Sequence, residues 1–208
     1  MSSHTLFLTI GWVATAMGWF LTGVQLRRAW VVSTDGIALA TWSTFLFATI
    51  FWIWYGVSLG DPVVLWSSLV IFPIQLAVIA RIERKGEMKT ILSSAAFVFV
   101  TCGIPTLVWG WPGGCYGAGV LMMLNRWPQI RTLIKSADVD GVSVASWSMG
   151  LVSLFLWAVY YSENNQWAPL LSCVAAALGN LVIVILASWR HQQRRQVRQA
   201  ESVGPLAS

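Results

Sequence analysis

Charged residues are scarce. They make up 10% of the chain while apolar residues make up 57%, whereas soluble domains are about a quarter charged. A chain of 208 residues has too little interior to hide that much apolar surface from water. An ordinary soluble domain is therefore excluded, and lipid must cover the excess. The acids are Asp35, Asp61, Glu83, Glu87, Asp138, Asp140, Glu163 and Glu201, and the histidines are His4 and His191. All lie at the ends of apolar runs, between them, or in the terminal segments, so a buried proton relay is not expected. Metal-ligand clusters, nucleophile–base pairs and phosphate-cradling loops are missing, which argues against an enzyme and against a metal or other cofactor. Cysteine is rare as well. Cys102, Cys115 and Cys173 cannot all pair, so they read as small apolar packing residues and not as a disulfide framework. No Lys or Arg precedes Arg27, so the first apolar run is expected to be a permanent span and not a cleavable signal.

Long apolar runs are what the chain does have. Crossing the hydrocarbon core takes roughly 20 residues of helix. That ruler gives seven spans, near Leu6–Leu26, Ile37–Leu59, Val63–Ile82, Ile91–Trp111, Tyr116–Ile134, Val142–Tyr161 and Trp167–Trp189. Runs of this length suit helices; strands of a membrane barrel are about half as long and alternate in polarity.

The basic residues fall on one side of these spans. Arg27 and Arg28 occupy the first connection, Arg81 to Lys89 the third, Arg131 and Lys135 the fifth, and Arg190 to Arg198 the tail. Connections two, four and six carry none, and only Arg126 lies inside a span away from its end. By the positive-inside rule the N-terminus is outside and the C-terminus cytosolic, in a multi-pass protein of the cell membrane. The net charge of +5 thus serves orientation against anionic lipid, and nucleic acid is not an expected partner. Trp30, Trp42, Trp109, Trp111, Trp147, Trp167 and Trp189 sit at predicted span ends and read as an interfacial belt.

The chain also repeats itself. Asp35–Ser43 reads DGIALATWS and Asp140–Ser148 reads DGVSVASWS, identical at five of nine positions. Gln25-Leu26-Arg27 matches Gln129-Ile130-Arg131, and Trp52 with Tyr55 matches Trp157 with Tyr160. Asp61-Pro62 and Ala168-Pro169 are taken as the matched openings of the third span in each copy. The expected organisation is a first three-helix repeat over 1–89, a linker helix over 90–113, a second repeat over 114–190 and a basic, mobile cytosolic tail over 191–208. Three spans plus one put the second copy in the same orientation as the first, an all-α membrane fold of two parallel repeats. Internal repeats of this kind are a transporter signature, with substrate bound between them near mid-membrane.

Pro128-Gln129, a basic loop and then Asp140-Gly141-Val142-Ser143 resemble a PQ-loop motif. With the three-one-three layout and the Trp-x-x-Tyr of each second helix, the chain resembles the PQ-loop/SWEET family of small-solute transporters and its half-size bacterial relatives, over nearly its whole length. The resemblance implies an uncoupled, bidirectional facilitator of a small polar solute such as a sugar. In that family an Asn about five residues after the opening proline of each third helix contacts sugar. The count lands here on Ser67 and Val174, while Asn180 lies further along and matches Pro73. Amino acids and other metabolites therefore stay open as substrates. A membrane receptor or scaffold that moves nothing is the reading from a different class, and association with further copies of the chain is left open.

Among single residues, Trp52/Tyr55 and Trp157/Tyr160 are i,i+3 pairs that each share one helix face. They are expected either to wall a cavity against a flat or cationic solute or to pack helices together. Gln25 and Gln129 are matched amides that must find partners inside lipid, at an inner gate or on a neighbouring helix. Asn125, Arg126 and Gln129 cluster within about a turn. Arg126 matches Thr22 and is expected to bind an anionic group of the substrate, to snorkel, or to pair with Asp138 or Asp140. Pro73 and Pro128 interrupt their helices, and for Pro128 the resemblance implies a hinge.

Overall fold

The computed structural model describes residues 3–31, 34, 39–82, 87–135 and 143–203, with the side chains of Pro128, Gln129 and a few others outside the description. The Asp35-Gly36 and Asp138–Val142 segments of the repeat lie outside it too. Every element among the described residues is helical. The order is α1 (Ser3–Val31), α2 (Leu39–Leu59), α3 (Pro62–Arg81), α4 (Glu87–Val98), a π-helical turn (Phe99–Gly103), α5 (Ile104–Lys135), α6 (Val144–Glu163) and α7 (Trp167–Val203). Six stretches are long and apolar enough to cross a membrane, as befits a multi-pass membrane protein.

Seven spans were expected, and the difference lies in the fourth stretch, Glu87–Trp127. As a straight helix its 41 residues would run about 60 Å, twice the roughly 30 Å of hydrocarbon. It does not run straight. Gly110 leaves the helical region at φ 69°, ψ −167°, a conformation open to glycine at little cost. Beyond it the chain doubles back, with Gly113 beside Pro105, Gly114 against Thr106 and Phe51, and Gly117 against Thr101. The turn falls one residue ahead of the expected Trp111–Gly114 connection, which is already helical.

Local sequence explains the other helix starts. Asp61 caps α3, accepting from the amides of Val63 (3.0 Å) and Val64 (3.1 Å), with Pro62 in the first turn. This combines an acidic N-cap with the position where proline's missing N–H costs nothing. Ser143 caps α6 through the amide of Ser146 at 3.2 Å. The last helix outruns the predicted span end at Trp189. Helix α7 continues through Val203, because Gln, Arg and Ala after Trp189 are good helix formers.

Helix α3 packs on both α1 and α2, and α7 packs on both α5 and α6, so each half has its third helix in the middle. Between the halves α1 lies along α6. Helix α2 meets α5 only marginally and packs on α4 instead. The outer surface is apolar: Leu107 is 78% exposed and Phe155 66%, a surface that requires lipid. Trp30, Trp109 and Trp167 are exposed at helix ends, and Trp189 is exposed within α7. Trp111 is not part of such a belt; it turns inward onto Phe51 and Tyr55, at ring distances of 5.8 and 5.6 Å.

Candidate functional site

A cavity of about 340 Å³ lies between α1–α3 on one side and α5–α7 on the other. One end of its wall is aromatic. Tyr161 stacks on both Trp52 and Trp157, with centroids 6.5 and 5.4 Å away and both interplanar angles 24°. Trp52 and Trp157, matched by the repeat, thus meet across one ring, and all three line the cavity.

Behind this layer, towards the end of the bundle that lacks basic residues, the halves exchange hydrogen bonds. Tyr160 of α6 donates to the Asp61 carboxylate at 3.0 Å. Tyr55 of α2 donates to the Gln166 side chain at 3.4 Å. Asp61 precedes α3 by one residue, Gln166 precedes α7 by one, and Tyr55 and Tyr160 are repeat partners. Each half therefore sends its tyrosine to the matched position of the other. The crossing needs close backbones. A Cβ on Gly11 would lie 2.7 Å from the Tyr160 ring, so only glycine lets α1 approach α6 there. Ser153 on α6 adds a bond to the Ala14 carbonyl at 3.3 Å.

Away from the aromatic end the wall turns polar. It includes Thr15, Thr22, Ser67, Ser68, Gln75, Arg126 and Ser172. Several of these groups are already occupied. Ser67 donates to the Val64 carbonyl at 2.7 Å and Thr22 to Gly18 at 2.8 Å. Ser172 donates to the carbonyls of Cys115 and Ala168. Others are not: the Thr15 hydroxyl and the Gln75 carbonyl oxygen are buried without a partner. Arg126 is 9% exposed. Its Nε donates to the Asn180 side-chain oxygen at 2.5 Å and one terminal nitrogen to the Met122 carbonyl at 2.6 Å. Its stem lies on Gly179, where a Cβ would collide with it. Among the described residues no carboxylate pairs with it.

These contacts give the register of the repeat directly. Thr22 of α1 matches Arg126 of α5, and Trp52 matches Trp157. On the third helices the wall uses Ser67, Ser68, Ile71 and Gln75 in one half and Ser172, Cys173, Ala176 and, holding Arg126, Asn180 in the other. Both sets have one spacing. The matching of Pro62 with Pro169 is therefore corrected by two residues, because α7 starts at Trp167 and Pro169 is its third residue. Ser67 corresponds to Ser172, not to Val174, and Asn180 to Gln75, not to Pro73.

The remaining candidates are dispersed. Val174 is 40% exposed and lines a separate apolar groove on the outer face of α6 and α7. Tyr55 and Tyr160 are buried behind the aromatic layer, outside the cavity wall. Asn125 is half-buried with its amide nitrogen unpartnered. Gln25 is half-buried beyond Thr22, and Pro73 faces outward on α3. Gln129 and Pro128 are helical, but their side chains lie outside the described residues. Tyr161, Thr15, Gln75, Asp61 and Gln166 were not singled out by the sequence. Only Asp61-Pro62 carried a visible signal, that of a helix start.

No protein-family model matches the chain, and no curated protein is similar to it at a significant level.

Proposed function

We propose that the protein is a transporter that lets a small polar solute cross the membrane without coupling, by rocking two parallel three-helix units, α1–α3 and the α5–α7 half beyond Gly110, against each other. Helix α4 and its continuation to Gly110 form the linker that sets both units in one orientation. The observation that carries this reading is a cavity between the units whose walls come from matched positions and whose one end is shut by reciprocal tyrosine bonds. With the N-terminus outside, as the basic residues favour, the shut end faces outward and the cavity opens towards the cytosol. Opening outward requires Trp52, Tyr161 and Trp157 to separate and both tyrosine bonds to break. The few kilocalories per mole involved, about 0.5–3 for each bond, are of the size that leaves a second state populated. The resemblance to the PQ-loop/SWEET family agrees with this motion and suggests a sugar or similar metabolite in the cell membrane.

The test is uptake of labelled sugars, organic acids and amino acids into liposomes holding the purified protein, with a Trp52→Ala/Trp157→Ala variant alongside. Saturable uptake that stops at equilibrium and is lost in the variant is the expected result. Binding without flux, from folded protein, would replace the transporter with a receptor.

A further inference from the structure

We infer that the solute taken by this cavity is a small organic monoanion, whose carboxylate sits on Arg126 and whose apolar or aromatic body lies against Trp52, Tyr161 and Trp157. The inference rests on the reading of the cavity as a transport site and narrows its substrate class.

Among the described residues, the cavity wall holds one ionised side chain and nothing of opposite sign. Arg126 is 9% exposed, and a buried cation is costly unless an anion pairs with it. Its two bonds go to neutral oxygens, of Asn180 and Met122. They hold the guanidinium in place without neutralising it. Asp61, the acid fixed by these halves, is on the far side of the aromatic layer and already accepts from two amides and Tyr160. The second terminal nitrogen makes no hydrogen bond among the described residues, and Arg126 lines the cavity, so a charge-assisted bond to a carboxylate can form there.

Two further groups wait in the same wall. Thr15 is 1% exposed and Gln75 6%, and the Thr15 hydroxyl and the Gln75 amide oxygen have no partner. Gln75 stands where the other half has Asn180, but the residue matching Arg126 on its own side is Thr22, whose hydroxyl is bound to Gly18. The Gln75 oxygen, an acceptor, is thus left for a donor group on the ligand's body and not for its carboxylate, whereas the Thr15 hydroxyl can donate to the second carboxylate oxygen.

Charge fixes the class. A monoanion neutralises Arg126, whereas a phosphate dianion would bring a second negative charge with no other cation among the described residues of the wall. A sugar needs many hydrogen bonds, while the Ser67, Ser172 and Thr22 hydroxyls are bound to backbone and the aromatic end is apolar. The volume of about 340 Å³ lies at the small end of ligand pockets, about 300–1,000 Å³.

The experiment uses the full chain in lipid nanodiscs. Benzoate, benzamide, glucose and inorganic phosphate are titrated by calorimetry and by their effect on the thermal midpoint. Benzoate is expected to bind saturably, and benzamide, glucose and phosphate at least about tenfold more weakly. Arg126→Gln should weaken benzoate about tenfold to a hundredfold, the range for one charge-assisted bond. Should that variant fail to fold, Thr15→Val serves instead, expected to weaken benzoate several-fold; unchanged benzoate binding in it overturns the assignment. Equal binding of benzamide or phosphate, preference for glucose, or no benzoate binding by folded protein overturns the assignment. Proteoliposomes separate it from the transport reading: a neutral solute carried without benzoate binding leaves a transporter and removes the anion site, whereas benzoate bound but never carried leaves the anion site and removes the transporter.

Discussion

Where the first half of the cavity has Thr22 beside Gln75, the second has Arg126 bound to Asn180. Around these positions the halves agree: Trp52 faces Trp157, Ser67 corresponds to Ser172, and Tyr55 and Tyr160 each cross to the residue ahead of the other half's third helix. The agreement lies in groups that shape and close the cavity, and the disagreement in groups that can bind charge. On the proposed reading, the repeated unit supplies a symmetric frame and the difference at these positions makes the site one-sided. The closed end shows the same pattern. A carboxylate accepts Tyr160 at 3.0 Å while an amide accepts Tyr55 at 3.4 Å, so the two latches are alike in place and unequal in strength.

The largest effect should come from erasing the charge difference. Arg126→Thr copies the first half into the second and orphans the Asn180 amide. Monocarboxylate uptake should fall about tenfold to a hundredfold. Adding Thr22→Arg to that variant moves the charge to the side of Gln75 and should restore part of the binding in a titration. Unchanged uptake in the single variant would mean that the difference between the halves is structural only.

The latches come next. Tyr160→Phe removes a bond to a charged acceptor, worth about 1.5–3 kcal/mol, and Tyr55→Phe a neutral one worth about 0.5–1.5 kcal/mol. Hydrogen exchange of the 56–64 and 161–169 segments should rise in both and more in Tyr160→Phe. Equal responses would deny the ranking.

The smallest effect tests the register. Ser172→Val breaks the bond from α7 to the Cys115 carbonyl and should lower uptake several-fold. Val174→Ser, on the outer face, should leave uptake within about twofold. The reverse result would restore the register counted from the prolines.

Much of the fold was legible because lipid imposes simple rules. Span length, one-sided basic residues and a repeated Trp-x-x-Tyr are visible in one dimension. The turn at Gly110 blurred because its neighbours, Trp109 and Trp111, are as apolar as the spans. The register on α7 was misjudged because proline is tolerated anywhere in a first helical turn, so Pro169 does not mark the same place as Pro62. Of the candidate site, Trp52 and Trp157 were legible from the repeat and Arg126 as a charge inside a span. Tyr161 matches Gly56 in the other half, so the repeat gave no hint of the ring that joins the tryptophans. Thr15 and Gln75 look like any buried polar residue until their missing partners are seen.

Alternating exposure of this cavity is best tested by thiol accessibility. Ser67→Cys is placed in a chain lacking its native thiols, Cys173 of the cavity wall among them, and reconstituted in one orientation. An impermeant thiol reagent is then applied from either side. Labelling from the basic face at rest, and from both faces once a transported solute is supplied, is the result expected of two rocking units. Labelling from one face only, whatever solute is present, would contradict it.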